Sequence, residues 1–231
     1  MDTSRRNPQI PSGPSAPEPA GQVVAILPAH GGSNAESLTR GLSRELAESY
    51  RLSVLLAEFS NHGFPLLGTA AEPPQRLDSR TWGAFLRNSG GAFDTLEARD
   101  AHPRNIRRLL ECARDRYSLT CADLSEARES AALEVLGNSD SIFLAGNSDP
   151  LSLEMARHRA EWLRSLGLAE RAALLLKRVP GGLNGADAED LTGLPVCAIL
   201  DSGNELRSLA KWIAGPVLPQ QAGPLPIRLV G

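Results

Sequence analysis

The sequence predicts an α/β protein with a mostly parallel sheet flanked by helices on both faces. Its strand-like apolar runs lack the polar–apolar alternation of a strand with one wet face, so both faces of each strand are expected to be buried. Helical patterns separate the runs, which is the order of a parallel sheet with crossover helices. The six runs are residues 23–27, 53–59, 119–124, 141–145, 172–176 and 196–200.

Helices are predicted between these strands from apolar spacing and from end signals. The first follows the first strand and carries Leu38 and Leu42 on one face, and the second begins at Pro103. Asp149 is expected to cap a third helix, which Gly167 ends. One face of this third helix carries a regular repeat of large side chains: Leu151, Met155, His158 and Trp162.

Two further segments complete the predicted domain. Residues 204–214 are expected to form a last helix, whereas residues 60–95, rich in glycine and proline, are expected to hold loops and one irregular helix. The even spacing of the segments predicts a single domain over 22–218. Residues 1–21 contain five prolines and are predicted to be a disordered leader, and 219–231 an irregular tail.

Net charge and cysteine spacing limit which partners and which cellular compartment are expected for the protein. A net charge of −3 gives no basis for nucleic acid as a partner. The three cysteines fit no metal or redox spacing and are interpreted as structural thiols. The sequence shows no spanning segment and no signal peptide. A cytoplasmic location is therefore expected, without direct membrane insertion, and any recruitment to the inner membrane face would depend on partners.

The turn after the first strand, residues 28–37, is where a parallel sheet is expected to bind a ligand. A helix N-terminus at this position favours anions. Residues 33–36 read Ser-Asn-Ala-Glu, the pattern of a capping box in which Ser33 and Glu36 bond each other's amides. Such a box would occupy the amides that hold phosphate. Many helices begin with a capping box and have no phosphate site, so both interpretations of the turn stay open.

This turn resembles the P-loop of the MinD/ParA-type ATPases, in the SIMIBI class, which reads K-G-G-x-G-K-T-T. Three loop residues are retained: Gly31, Gly32 and Ser37. His30 and Ala35 stand where the family has its two lysines, and Glu36 stands where it has the magnesium-binding threonine. The only lysines, Lys177 and Lys211, are far along the chain. The resemblance therefore implies the fold without the cation that supports phosphoryl transfer.

The resemblance extends over residues 22–218. Residues 54–60 are similar to the family strand V-L-L-V-D-L-D, with Glu58 in place of its first acid, and Asp123 matches the acid that helps to hold magnesium. Lys177 corresponds to the asparagine that reads the base. Asp123 is interpreted as a structural carboxylate paired with a nearby arginine. Residues 187–206 look most like the Flp/Tad pilus-assembly ATPases.

These alignments imply a degenerate nucleotide site with no catalytic residue and no metal ligand. ATP and magnesium are disfavoured as cofactors, and His30 is expected to be an exposed loop histidine. Arg40 and Arg44 lie one or two turns too far along the helix to reach a phosphate easily. The equivalents of the site are His30, Gly31, Gly32, Ser33, Asn34, Ala35, Glu36, Ser37, Glu58, Asp123 and Lys177.

The resemblance implies a non-catalytic pseudo-ATPase that positions partners at a membrane-associated or polar bacterial machine for pilus assembly, polysaccharide export or division. Protein partners are expected, as a homodimer or as a heterodimer with an active family member. Two alternatives remain open: a weakly active or nucleotide-sensing ATPase, and a regulator related to the polysaccharide-export kinases. A DNA-partition role would require a basic surface on a chain of negative net charge.

Overall fold

The structure, a computed structural model, describes residues 21–31, 34–61, 82, 86–87, 91–99, 101–201 and 203–215. Apart from Gly21, the predicted leader lies outside the described residues, as does the predicted tail. The part of the chain that is described forms an α/β fold built on one sheet. This confirms the predicted fold class.

The sheet runs in the order β3-β4-β2-β5-β1-β6-β7-β8. All neighbouring strands are parallel except β3 and β4, which are antiparallel. The first strand of the chain therefore lies at the centre of the sheet, between β5 and β6. The strands are β1 (Gln22–Pro28), β2 (Val54–Ser60), β3 (Leu86–Arg87), β4 (Asp94–Arg99), β5 (Leu119–Glu126), β6 (Ser141–Asn147), β7 (Ala172–Lys177) and β8 (Val196–Leu200).

The helices follow the strands as parallel crossovers require. They are α1 (Ala35–Tyr50), α2 (Pro103–Arg114), α3 (Glu129–Gly137), α4 (Pro150–Ser165), α5 (Gly185–Thr192) and α6 (Gly203–Ala214).

The ends of α2 and α4 form where the sequence predicts them. Pro103 is the first residue of α2, and the side chain of His102 accepts a hydrogen bond from the amide of Arg104. At α4, Asp149 Oδ1 accepts from the amide of Ser152 at 2.9 Å. The chain leaves α4 through Gly167, whose φ of 70° is a conformation that side chains with a Cβ rarely adopt.

The helices divide between the two faces of the sheet. The core under α1 and α6 contains Ile26, Leu42 and Phe143. The core under the other four helices contains Leu109, Leu153 and other buried residues. On that second face α2 packs against α3 and α4 packs against α5, whereas a groove separates α3 from α4.

Most of the large repeat on α4 lies on the solvent side of the helix, whereas Trp162 is partly buried against the core. Leu151 is 74% exposed and Met155 is 43% exposed. The side that faces the sheet is made of small and branched residues, which allow the helix to approach the strands closely. These buried residues are Ser152, Leu153, Ala156, Ala160 and Leu163. The most conspicuous apolar stripe of α4 is thus not part of the core.

Of the elements that the structure describes, five were not predicted: β3, β4, α3, α5 and the short 3-10 helix Ala169–Arg171. The expectation of loops and one irregular helix over 60–95 is wrong for β3 and for the start of β4, and residues 62–81 lie outside the described part. Cys121 is fully buried, while Cys112 and Cys197 are partly buried. None of the described helices is long and apolar enough to cross a bilayer.

Candidate functional site

The candidate site lies at the carboxyl ends of β1, β2 and β5, around the start of α1. His30 and Gly31 form the turn after β1, whereas Gly32 and Ser33 lie outside the described residues. Cavities open on either side of α1 at this edge of the sheet. This is the place that parallel sheets use for ligands.

The start of α1 differs from the predicted capping box. The helix begins at Ala35 with Asn34 as its N-cap, one residue later than predicted, and the Asn34 side chain makes no capping hydrogen bond. Ala35 is fully buried. Glu36 is exposed, and its carboxylate lies 3.9 Å from the Arg40 guanidinium one turn along the helix. The bonds predicted for Ser33 fall outside the described residues.

Three carboxylates form a row across neighbouring strands, which we call the acid row: Glu97, Glu58 and Asp123. Glu58 on β2 is in register with Glu97 on β4 and with Asp123 on β5. Asp123 is also in register with Ile26, which belongs to the core under α1. Since residues in register share a face, the acid row lies on the side of the sheet that α1 covers.

Arg40 supplies the positive charge that faces this row. Its Nη2 atom forms an ion pair with Glu58 Oε1. Glu97 pairs with Arg87 from the neighbouring strand. Arg40 also lines a cavity of about 260 Å³ together with all three acids of the row. A guanidinium from α1 therefore lies in a cavity that is lined mostly by carboxylates.

Two acids of the row, Glu58 and Asp123, have pKa values raised above their ordinary values. Burial raises the pKa of Glu58, an effect that Arg40 opposes and the neighbouring carboxylates strengthen. Burial likewise raises the pKa of Asp123, although hydrogen bonds from Ser125 oppose it. Asp123 Oδ1 accepts from the amide and the hydroxyl of Ser125, at 2.9 and 2.5 Å. The direct partner of Asp123 is thus a serine, not the arginine expected from the sequence.

Both ring nitrogens of His30 lie within hydrogen-bonding distance of groups of the same chain. Its ring is partly buried, so the expectation of an exposed loop histidine is wrong. Nε2 lies 3.0 Å from Ser152 Oγ, and Nδ1 lies 2.7 Å from the carbonyl oxygen of Gly31. The Ser152 hydroxyl donates to Asp149 Oδ2 at 2.7 Å. These bonds fasten the turn after β1 to the first turn of α4.

A second cavity of about 440 Å³ lies between α1 and the ends of β6, β7 and β8. Its walls include the apolar Leu38, Leu175 and Leu200, and Lys177 and Asp201 add one charge of each sign. Asn34 and Ser37, at the start of α1, line the same cavity as Lys177. The alignment places these three residues in one site. An apolar slot with a few polar groups suits a flat or amphipathic small molecule.

Three residues at the site were not predicted from the sequence: Glu97, Arg87 and Ser125. Arg40 was not predicted to belong to the site either, but it does not need to reach a phosphate because it reaches Glu58. The spacing of Glu36 and Arg40, one helical turn apart, was an available signal for a charged face on α1. Among the residues that the structure describes, no three or more His, Cys, Asp or Glu side chains are grouped so that they could hold a metal ion.

Comparison with solved structures identifies the fold. A ParA family ATPase from Chlorobium tepidum superposes with a TM-score of 0.65 at 16% sequence identity, covering 84% of this chain and 93% of the other. The MinD of Pyrococcus horikoshii, complexed with Mg-ADP, gives a TM-score of 0.66 at 16% identity, covering 85% and 98%. This chain has the MinD/ParA fold.

A third comparison extends over most of the chain. A chain of the MinC:MinD cell division protein complex of Aquifex aeolicus has a TM-score of 0.70 at 14% identity, covering 91% of this chain and 100% of that one. No protein-family model and no curated protein matches the sequence. At these identities the MinD/ParA likeness is one of fold, and the chemistry has to be argued from the residues.

Proposed function

We propose that this chain is a pseudo-ATPase: a MinD/ParA-fold protein that acts as a non-catalytic interaction or positioning subunit of a bacterial machine. The observation that carries the proposal is the ion pair between Arg40 and Glu58 in the acid row. By the resemblance, Asp123 matches the acid that helps to hold magnesium, and Glu58 is its neighbour in the sheet. Here the cation beside them belongs to the protein.

An arginine in this position opposes the binding of a second cation. Magnesium binds through oxygen ligands in near-octahedral geometry and keeps several waters, so it would need space that the Arg40 side chain takes up. The raised pKa values of Glu58 and Asp123 show how burial penalises their charged forms. Arg40 belongs to the chain, so it always offsets part of the free-energy cost of burying the charged form of Glu58. A metal ion would have to displace it.

The phosphate side carries a second argument. The loop has no lysine, and Ala35, aligned with the family's phosphate-contacting lysine, is buried. Glu36 adds an exposed carboxylate at the N-terminal turn of α1. A like charge 4 Å away costs about 1 kcal/mol in water and about 4 at an effective dielectric of 20. These features favour a loop that does not hold triphosphate.

His30 adds a third argument. It aligns with the family lysine that reaches across a dimer, yet its ring is bonded to Ser152 of its own chain. A residue held in this way is not free to contact a nucleotide on a second subunit. The proposal therefore includes a fixed conformation of the turn in place of a nucleotide-driven cycle.

An interaction role agrees with the kinds of protein that share the fold. The solved neighbours comprise cell division and plasmid partition proteins, and one of them is a MinC:MinD complex. We propose a comparable role in pilus assembly, polysaccharide export or division, with a homodimer or a heterodimer with an active family member as the assembly. A cytoplasmic location with recruitment to the membrane by partners is part of this proposal.

Thermal unfolding with ATP, ADP and ATP analogues, with and without magnesium, tests the proposal. A ligand at 100 times its dissociation constant adds about 2.7 kcal/mol to the unfolding free energy, which a thermal shift detects readily. We expect no shift and no release of phosphate. Magnesium-dependent ATP hydrolysis that disappears in Asp123→Asn would overturn the proposal.

A gain-of-function variant tests the alignment itself. The triple change Ala35→Lys, Glu36→Thr and Arg40→Met restores the loop cation, supplies a hydroxyl and removes the internal guanidinium. We expect it to show a magnesium-dependent thermal shift with ATP that the natural chain lacks. A matched variant, Arg44→Met with Glu48→Thr, changes the same helix without touching the site and should stay indifferent to nucleotide.

The second cavity supports one alternative, a nucleotide-sensing protein that binds a base or nucleoside without hydrolysis. Its apolar walls and Lys177 form a slot at the position aligned with the family's base-reading asparagine. If this alternative holds, adenosine or ADP will raise the unfolding temperature without magnesium. Lys177→Ala should then abolish that shift, whereas Lys211→Ala on α6 should not.

A further inference from the structure

The groove between α3 and α4 has a volume of about 570 Å³. Sites for small organic molecules usually measure about 300–1,000 Å³. The floor of the groove is apolar, since Leu27 and Leu124 reach it from the ends of β1 and β5 and are almost completely buried. Trp162 adds an aromatic wall from α4 and packs partly against the core. The size and the lining of the groove therefore suit the hydrocarbon part of a small ligand.

The two walls of the groove carry charges of opposite sign. Glu129 lines the groove from the first turn of α3, and Arg159 lines it from α4. Both residues are exposed. Within the residues that the structure describes, neither forms an ion pair, whether with the other or with a third group. The groove thus offers one negative and one positive charge to a bound molecule, on either side of an apolar floor.

Each of these charges is stabilised by its own helix. Glu129 lies at the N-terminus of α3, where the helix dipole favours a negative charge. The Arg159 guanidinium lies over the Trp162 ring, 5.6 Å from its centroid, and an aromatic ring attracts a cation in this position. Both groups can therefore stay charged without a partner across the groove.

The other polar groups of the groove have contacts within the chain. His30 uses both ring nitrogens for the bonds described above. The ring nitrogens of His158 lie 3.6 and 3.8 Å from two carboxylates of its own helix. Ser125 donates its hydroxyl to the acid row. Glu129 and Arg159 are therefore the groups that decide which charges a ligand must carry.

We propose that the groove between α3 and α4 is a binding site for a small amphipathic zwitterion, with the chemistry of an apolar amino acid or dipeptide. The ammonium group of the ligand binds Glu129, its carboxylate binds Arg159, and its hydrocarbon side chains cover the floor beside Trp162. This inference goes beyond the proposed interaction role and does not depend on it, because these three residues lie outside the acid row and outside the turn after β1.

The charges of the two walls disfavour other classes of small molecule. An anion such as a phosphate compound is attracted by Arg159 but repelled by the Glu129 carboxylate. A cation such as a polyamine is attracted by Glu129 but repelled by the Arg159 guanidinium. An uncharged apolar molecule would displace water from both charges and give neither a partner, which is unfavourable. A ligand that carries both signs of charge satisfies both walls.

Calorimetric titration of the full-length chain with leucyl-leucine and with leucine tests the proposal. The tighter of the two identifies the dipeptide or the amino acid as the ligand. Two blocked dipeptides each lack one charge, since N-acetyl-leucyl-leucine has no ammonium group and leucyl-leucine amide has no carboxylate. We expect each blocked form to bind about tenfold more weakly than the free dipeptide, equivalent to about 1.4 kcal/mol. Nucleotide is omitted, so the result does not depend on whether the chain binds ATP.

Neutral variants assign each contact to one residue. In Glu129→Gln the free and the acetylated dipeptide are expected to bind about equally, because the partner of the ammonium group is gone. In Arg159→Gln the free dipeptide and the amide are expected to bind about equally for the corresponding reason. Glu111→Gln and Arg108→Gln are the matched controls, since they make the same charge changes on α2, on the same face of the sheet. Both should keep the differences between free and blocked dipeptide.

Tryptophan fluorescence locates the bound molecule. Leucyl-leucine is expected to change the fluorescence of the natural chain, because its side chains would cover Trp162. The change should be absent in Trp162→Phe and present in Trp212→Phe, whose tryptophan lies on the opposite face of the sheet. Circular dichroism of each variant confirms that the chain is folded.

Four outcomes would overturn the proposal. The first is that neither leucine nor leucyl-leucine binds at millimolar concentration, and the second is that the blocked dipeptides bind as tightly as the free one. The third is that Glu129→Gln and Arg159→Gln keep the differences between free and blocked forms, which would place the ligand elsewhere. The fourth is sedimentation of the natural chain as a dimer that Trp162→Glu dissociates, which would identify a second copy as the occupant.

The outcomes for the groove and for the pseudo-ATPase proposal are separable. Magnesium-dependent ATP hydrolysis together with binding of the dipeptide would overturn the pseudo-ATPase proposal and leave the groove assigned. A chain that binds neither nucleotide nor dipeptide would leave the pseudo-ATPase proposal in place and overturn the assignment of the groove.

Discussion

The two faces of the sheet treat their functional groups in opposite ways. On the face of α1, the acids of the row have partners within the chain: Arg87 for Glu97, Arg40 for Glu58 and Ser125 for Asp123. On the face of α4, large apolar side chains remain in solvent beside an open groove. The first face thus pairs its acidic groups within the chain, whereas the second exposes apolar side chains to solvent.

The two faces therefore differ in what each still needs from outside the chain. An internal ion pair removes the need for a bound cation, because the charge is supplied without a ligand. An exposed apolar stripe does the reverse, since it lowers its free energy only when a partner covers it.

The largest effect is expected from two leucines of α4 that are two positions apart. Leu153 is fully buried and Leu151 is 74% exposed. Leu153→Ala should cost about 2–5 kcal/mol of unfolding free energy because it leaves a cavity. Leu151→Ala should change it by less than about 0.5 kcal/mol. Urea denaturation measures both, and equal losses would contradict the described orientation of α4.

Removal of Arg40 tests the opposite face. Arg40→Met should cost about 1–2 kcal/mol near neutral pH, because Glu58 loses its partner while solvent still screens part of the charge. Arg44→Met, on the exposed side of the same helix, is the control. Manganese or magnesium should restore part of the lost stability only in Arg40→Met. A variant as stable as the natural chain would show that the acid row does not need a cation.

The acid row also predicts how stability depends on pH. Burial raises the pKa of Glu58 and Asp123, so the folded chain holds these protons more tightly than the unfolded chain. Their contribution to stability therefore increases as pH falls through the raised values toward the ordinary values of 4.5 and 3.8. Above the raised values the two groups disfavour folding.

Asp123→Asn should consequently raise the unfolding temperature by a few degrees near pH 8, since it removes one buried charge. The advantage should shrink as pH falls toward 4. Thermal unfolding at several pH values measures this, with Asp190→Asn on exposed α5 as control. A lower unfolding temperature near pH 8 would show that the carboxylate itself is needed for the bonds to Ser125.

The smallest effect is expected at the bond that joins the two regions. His30→Ala removes the contact with Ser152 and should cost about 1 kcal/mol or less. A double-mutant cycle with Ser152→Ala isolates this contact from the bond between Ser152 and Asp149. A coupling energy indistinguishable from zero would mean that the turn after β1 is not fastened to α4.

The central strands could be predicted because their continuous apolar runs are typical of strands buried on both faces. Strand β4 could not be predicted in this way. Its sequence, Asp-Thr-Leu-Glu-Ala-Arg, has only Leu96 and Ala98 as buried apolar residues, and three charged side chains hide the strand signal. The short helices α3 and α5 are rich in alanine and carry little large-residue periodicity. These elements are defined by their neighbours in the sheet more than by their own pattern.

At the candidate site the sequence predicted positions but not pairings. Glu58 and Asp123 were assigned from their strands, and the register confirms that they are neighbours. The pairing of Arg40 with Glu58 depends on the rotation of α1 about its axis, which no local pattern specifies. On α4 the sequence prediction used the spacing of the large residues. The side of the helix that packs on the sheet instead carries the small residues Ala156 and Ala160, which allow a close approach.

The central position of β1 has a consequence for how the chain is made. Gln22 pairs with Leu119 on β5, and Val24 pairs with Ser141 on β6. During synthesis β1 therefore leaves the ribosome long before either neighbour has been made. Its backbone edges stay unpaired and its apolar side chains stay uncovered until β5 and β6 are available. Such long-range parallel pairing folds slowly and leaves intermediates prone to aggregation. The nascent chain needs protection, by chaperones or by its own transient contacts, until residues through Asn147 have emerged.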